Sequence, residues 1–190
     1  ALRTPAFWLM TGAATCFGGA QVGLGIHFVP IMVWKGVDEI RAALMLSAMA
    51  LMNVPLSPFV GWAADRWGRL VVPACIGLVS SVGALVLLLA DTEWQLWLAI
   101  VLLAGNMGMY PLLWAAMGFA FGRRSFSTIR GYALGGQVGG TLLVPFMAGV
   151  MFDITGGYTQ SLAVIAALLL GSFILLMVTP RHSHVPSDST

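Results

Sequence analysis

Within the long apolar runs of this sequence, the side chains that could do chemistry are uncharged polar groups. Amide, phenol and imidazole groups can exchange hydrogen bonds with a passing solute but carry no fixed charge at neutral pH. Polar groups at membrane depth are costly to place and often functional. The candidates for a solute pathway are Gln21, His27, Asn53, Asn106, Tyr110 and Gln137.

Each candidate also has a structural interpretation, because a neutral amide can simply bond a neighbouring helix for about 0.6 kcal/mol. That interpretation is favoured for Asn53. For Gln137 the two are balanced, because the glycines at 135, 136, 139 and 140 leave space that a solute could use. His27 precedes Pro30 near the end of its run, where it either faces a vestibule or caps and packs the helix end.

No pattern in the sequence indicates an enzyme. There is no G-x-S-G, no H-E-x-x-H and no pair of aspartates at helical spacing, and Ser80 and Ser81 have no histidine nearby. Cys16 and Cys75 have no neighbour at metal-ligand spacing and are interpreted as small packing residues. We therefore predict no catalytic residue, no cofactor and no metal.

The apolar runs that hold these residues predict an all-α membrane protein. Only 8% of residues are charged, against roughly a quarter in soluble domains, and nothing points to nucleic acid as a partner. About 20 apolar residues cross a bilayer, and an open sheet is excluded in lipid. Residues 1–180 are predicted to form a six-helix bundle in lipid, and 181–190 a disordered cytoplasmic tail. The helices are expected near 6–30, 42–63, 70–90, 94–119, 131–151 and 159–179.

Basic residues are distributed unequally between the two sides of the predicted bundle. Because short basic loops stay cytoplasmic, seven basic residues against two place both termini inside, in a cell (inner or plasma) membrane. The seven are Arg3, Arg66, Arg69, Arg123, Arg124, Arg130 and Arg181, and the two are Lys35 and Arg41.

The orientation can be tested with a reporter that is active only in the cytoplasm. Fused to Thr190, it is expected to be active. A silent fusion that is nevertheless stably present in the membrane would contradict the assignment.

Small residues and prolines recur within the predicted helices. Glycines four residues apart share a helix face and let backbones approach closely. The predicted packing stripe consists of Gly131, Gly135 and Gly139, and the pairs Gly19/Gly23 and Gly136/Gly140 have the same spacing. Prolines, which can bend a helix, occur at 55, 58, 111 and 145.

The most specific pattern is G-x-x-x-D-R-x-G-R between the second and third predicted helices. Its defined positions are Gly61, Asp65, Arg66, Gly68 and Arg69. A topology-setting turn would account for the arginines alone but would not require this whole spacing. The pattern resembles the signature loop of the major facilitator superfamily. Residues 3–8, 121–131 and 149–158 resemble further parts of its C-terminal half, most closely in monocarboxylate-porter-like and oxalate/formate-antiporter-like members.

The resemblance implies half of a twelve-helix transporter that moves a small solute, such as a monocarboxylate or other organic anion, by alternating access. Asp65 and Arg66 would then form a cytoplasmic latch against a missing N-terminal six-helix half or a second copy. Anion carriers of this type often place a basic residue in helices that match 42–63 or 131–151, and neither segment has one. The alternative is a membrane interaction module that does not transport.

Overall fold

A computed structural model describes residues 4–121 and 126–180. Within these ranges the chain is helical, without strands, and six helices are long and apolar enough to cross a membrane. This confirms the all-α, six-helix prediction and fits half of a twelve-helix fold, while the sidedness stays a prediction. The helices are α1 (Pro5–Trp34), α2 (Glu39–Trp67), α3 (Val71–Leu89), α4 (Glu93–Ala104), α5 (Met109–Phe121), α6 (Phe126–Thr155) and α7 (Thr159–Val178).

Some sequence predictions fall outside the described residues. These are the disordered tail at 181–190 and the basic residues Arg3, Arg123, Arg124 and Arg181. We call the two ends of the bundle the Lys35 end and the Asp65 end. The Lys35 end holds the α1–α2, α3–α4 and α6–α7 connections, and the Asp65 end holds the α2–α3 connection.

Several helices extend past the uncharged runs from which they were predicted. α2 begins at Glu39 because the Asp38 carboxylate accepts hydrogen bonds from the backbone N–H groups of Ile40 (3.1 Å) and Arg41 (3.4 Å). It ends at Trp67, before Gly68, whose φ of 118° suits glycine. Charged residues remain helical at these ends because the termini need not lie in hydrocarbon.

The fourth predicted helix, 94–119, is interrupted in the structure. A 3₁₀ turn at Gly105–Gly108 separates α4 from α5, although the two still form one membrane-length span. Pro111 therefore lies in the first turn of α5, where its missing N–H costs little. Pro111 thus lies within a helix, as predicted, but near its start.

α1 lies at the centre of the bundle, against α6 and α7, with smaller contacts to α2 and α5. α3 packs between α7 and α4, and α2 packs against α4 and the 3₁₀ turn. Buried apolar side chains such as Phe17, Phe28 and Leu169 fill the space between these helices. α2 and α6 are the least covered helices and leave wide faces open.

Candidate functional site

Tyr110 and Gln137 come together against the middle of α1. The Tyr110 phenol on α5 and the Gln137 side chain on α6 both approach Gly18 of α1. A β-carbon at Gly18 would lie 2.7 Å from Tyr110 Oη and 3.0 Å from Gln137 Cγ. The Tyr110 ring also packs edge-on against Phe17, with centroids 5.6 Å apart. Gly18 thus provides the space in which α5 and α6 present two polar groups to α1.

Gln21 lies one turn beyond Gly18 on the same face of α1. Its Oε1 atom and that of Gln137 are buried and have no hydrogen-bond partner. Buried polar atoms are normally paired, so each exception needs an explanation. We call Gln21, Tyr110 and Gln137 the central polar cluster.

The other two amides lie near the interruption of the fourth span. Asn53 is buried, donates from Nδ2 to the carbonyl oxygen of Ala104 at 2.7 Å, and accepts from Ser57 Oγ at 3.0 Å. This is an interhelical bond that satisfies the carbonyl at the end of α4. Asn106 lies in the 3₁₀ turn with its Oδ1 buried and unpartnered. A pathway role for either residue stays a prediction.

His27 is held at both ring nitrogens, away from the central polar cluster. Nδ1 lies 3.2 Å from the hydroxyl of Tyr158, and Nε2 lies 3.0 Å from the carbonyl oxygen of Pro145. Sequence reasoning missed Tyr158 as a partner, because it is 131 residues away in the α6–α7 turn. Its only signal was its place at the end of a motif at 149–158.

The signature-loop residues form a surface feature at the end of α2. The Asp65 carboxylate accepts a hydrogen bond from Arg69 at 3.0 Å, and the Arg69 guanidinium lies 3.4 Å above the ring of Phe119 on α5. The side chain of Asp65 is 70% exposed, and Arg66 is exposed. Gly61 has open space where a β-carbon would be. The contact between Arg69 and Phe119 joins the loop to α5. The gating role of the loop stays a prediction.

The glycines of α6 occupy two different faces. Gly136 and Gly140 pack against α1, where a β-carbon at Gly140 would lie 2.5 Å from the carbonyl oxygen of Thr15. Gly19 approaches Gly140 from the other side of the contact, so two of the GxxxG pairs meet. A β-carbon at Gly131, Gly135 or Gly139, the predicted stripe, would meet no neighbouring atom within 4 Å. Within the described residues, Gly136 and Gly140 therefore form the close contact of α6 with α1, and the glycines of the predicted stripe do not.

No family model matches the chain, but curated relatives cover most of it. Multidrug resistance protein MdtG of Klebsiella pneumoniae is 29% identical over 96% of this chain and 47% of its own length. Lysosomal dipeptide transporter MFSD1 of Danio rerio is 23% identical over 83% of this chain and 34% of its own length. Multi-drug resistance efflux pump PmrA of Streptococcus pneumoniae is 28% identical over 83% of this chain and 39% of its own length.

These relatives are major facilitator superfamily transporters. They are not enzymes, and the chain spans less than half the length of each of the three. The similarity therefore supports membrane transport in general. The names of these relatives refer to drugs and a dipeptide, so they give no support to the monocarboxylate or oxalate/formate subtype.

Proposed function

We propose that this chain acts as the C-terminal six-helix half of a major facilitator transporter and helps to move a small solute across the cell membrane by alternating access. The observation that carries the proposal is similarity along nearly the whole chain to less than half of a transporter's length. In this architecture the solute binds near the midplane, between two repeats that rock against each other.

The other repeat would pack on the open faces of α2 and α6. A β-carbon added at Gly131, Gly135 or Gly139 of α6 would meet no atom of the described residues within 4 Å. A small-residue face lets another backbone approach closely, so this side suits an N-terminal six-helix half or a second copy better than it suits lipid alone.

The central polar cluster would supply this half's wall of the solute site. The unpartnered oxygens Gln21 Oε1 and Gln137 Oε1 are hydrogen-bond acceptors. We infer that they bind a solute carrying N–H or O–H donors, such as an amine, an amide or a short peptide. A monocarboxylate would need a cation from elsewhere in the transporter, because the middle of each described span carries no Lys or Arg.

Replacing Gln137 with leucine tests this assignment in cells that express the complete transporter. The assays are efflux of ethidium, uptake of a radiolabelled dipeptide and uptake of lactate. We expect Gln137→Leu to raise the apparent KM for a donor-bearing solute about 2- to 10-fold, since it removes one hydrogen bond of roughly 0.5–1.5 kcal/mol. The amount of protein in the membrane should not change.

Gln160→Leu is the matched control, because Gln160 is an exposed glutamine at the start of α7. It should leave the KM unchanged. Saturable transport of lactate alone would replace the donor-bearing solute with a monocarboxylate. If none of the three is transported by a stably inserted protein, the alternative of an interaction module gains support.

A further inference from the structure

The 3₁₀ turn at Gly105–Gly108 is covered by α2, a helix from another part of the bundle. Asn53 of α2 donates from Nδ2 to the carbonyl oxygen of Ala104, the last residue of α4, at 2.7 Å. Two turns further along α2, Val60 lies against Gly108, where a β-carbon would be 3.6 Å from Val60 Cγ1. Residues seven apart share a helix face, so one face of α2 contacts both ends of the turn.

The local sequence permits this break in the fourth span but does not dictate it. Glycine is a poor helix former, and Pro111 has no N–H to offer the carbonyl oxygen four residues before it. The backbone angles of Gly105, φ −69° and ψ −9°, are nevertheless close to helical values. A small change would therefore restore a continuous α-helix, and a hydrogen bond from outside the span can decide between the two conformations.

The Asn53 amide is buried and oriented by its own helix. Its Oδ1 lies 3.0 Å from Ser57 Oγ, one turn along α2, and that hydroxyl also lies 2.9 Å from the Asn53 carbonyl oxygen. With Oδ1 facing the hydroxyl, Nδ2 faces Ala104 and donates to it. Because a buried donor that loses its acceptor is costly, the Ala104 carbonyl should stay with α2.

Tyr110 is the second residue of α5, so its position depends on where the turn directs the chain. Its ring packs edge-on against Phe17, and its hydroxyl approaches Gly18. Within the turn itself, Asn106 Oδ1 is buried and has no hydrogen-bond partner, so that acceptor does not fix the turn. The contact that can do so comes from Asn53.

We propose that Asn53 is a positioning residue for the solute site. Its bond to Ala104 holds the 3₁₀ turn and thereby places the Tyr110 hydroxyl in the central polar cluster, without Asn53 touching the solute. The effect on transport rests on the proposed function, while the effect on Tyr110 concerns this chain alone. Because the other repeat would pack on the open face of α2, a movement of α2 between conformational states would reach Tyr110 through Asn53.

The first test follows the turn and the site separately, by NMR of the full chain in lipid nanodiscs. The chain has only two asparagines and three tyrosines, so ¹⁵N-asparagine reports on Asn106 in the turn and 3-fluorotyrosine on Tyr110. The variant Tyr110→Phe identifies the Tyr110 signal by its loss. We expect Asn53→Leu to move the Asn106 and Tyr110 signals by more than their line widths and to leave the other two tyrosines in place.

Two serines of α2 supply the comparison variants. Ser47 is exposed and donates to a carbonyl oxygen of its own helix at 2.9 Å, so Ser47→Ala should move neither signal. Ser57→Ala, which removes the partner of Asn53 Oδ1, should move both signals in the same direction as Asn53→Leu but by less. The proposal is overturned if Tyr110 keeps its signal in Asn53→Leu, or if Tyr110 moves while Asn106 does not. Should Asn53→Leu fail to fold, the same two criteria are applied to Ser57→Ala.

The second test measures transport by the complete protein. Asn53→Leu should raise the apparent KM for a donor-bearing solute about 2- to 10-fold, as expected for one lost hydrogen bond. It should add nothing to the effect of Tyr110→Phe, because both changes withdraw the same hydroxyl from the site. Additive effects would overturn the role of Asn53 in transport. If no solute is transported while both NMR signals move as expected, the proposed function fails and the positioning of Tyr110 by Asn53 stands.

Discussion

Gly140→Ala is expected to lower the free energy of unfolding by about 1–3 kcal/mol, because it overpacks a close contact between two helices. The added carbon would lie 2.5 Å from Thr15 O and 2.9 Å from Thr15 Cγ2. The first of these atoms is backbone, so no side-chain rotation relieves the clash. Gly140→Leu should leave little folded protein. Thermal unfolding of the purified chain in detergent or nanodiscs measures both effects.

Gly135→Ala provides the matched control on the same helix. Gly135 has open space at the β-carbon position, and alanine has a higher helix propensity than glycine by about 1 kcal/mol. This variant should therefore be neutral or slightly stabilising in the bundle by itself. Equal destabilisation by the two substitutions would show that the α1–α6 contact is not the source of the effect.

Asp65→Asn is expected to reduce transport by the complete protein about 5- to 150-fold, the usual range of a coupling between conformational states. The Asp65–Arg69 pair is largely exposed, and such pairs contribute only about 0–1 kcal/mol to stability. Insertion and abundance should therefore be near normal. The loss would come from contacts that differ between the inward- and outward-facing states. Initial uptake rates, normalised to surface protein, measure it.

Asp91→Asn is the corresponding control at the opposite end of the bundle. Asp91 is an exposed carboxylate just before α4, and it lies outside the signature loop. Its substitution should leave the rate within about twofold, in line with the small effects typical of surface changes. A latch role for Asp65 would be wrong if both variants transported like the parent protein.

The six spans could be predicted because each apolar run is long enough and is bounded by charges. The first and last residues of the helices are harder to predict from the sequence, because capping at Asp38 and Gly68 acts through backbone geometry and not through hydropathy. The 3₁₀ turn at Gly105–Gly108 was not predicted. It contains two glycines and Asn106 but no charged residue, so a prediction based on uncharged runs passes over the break.

The candidate site was predictable by residue type but not by grouping. Gln21, Tyr110 and Gln137 are polar in apolar runs, and that suffices to select them. The approach of Tyr110 and Gln137 to α1 depends on Gly18, a glycine with no distinctive spacing of its own. The glycine stripes show the same limit: spacing indicates that residues share a face, while the choice of the Gly136/Gly140 face for α1 depends on how the helices cross.

The 3₁₀ turn also changes the angular phase of the fourth span. An α-helix advances about 100° per residue and a 3₁₀-helix about 120°. Four residues of 3₁₀ helix therefore turn α5 by about 80° relative to a continuous helix. Tyr110 follows this turn by two residues, so its direction towards Gln137 is set by the accumulated rotation. Periodicity counted from α4 would assign Tyr110 to a different side, and one residue inserted in the turn would carry its hydroxyl away from α6.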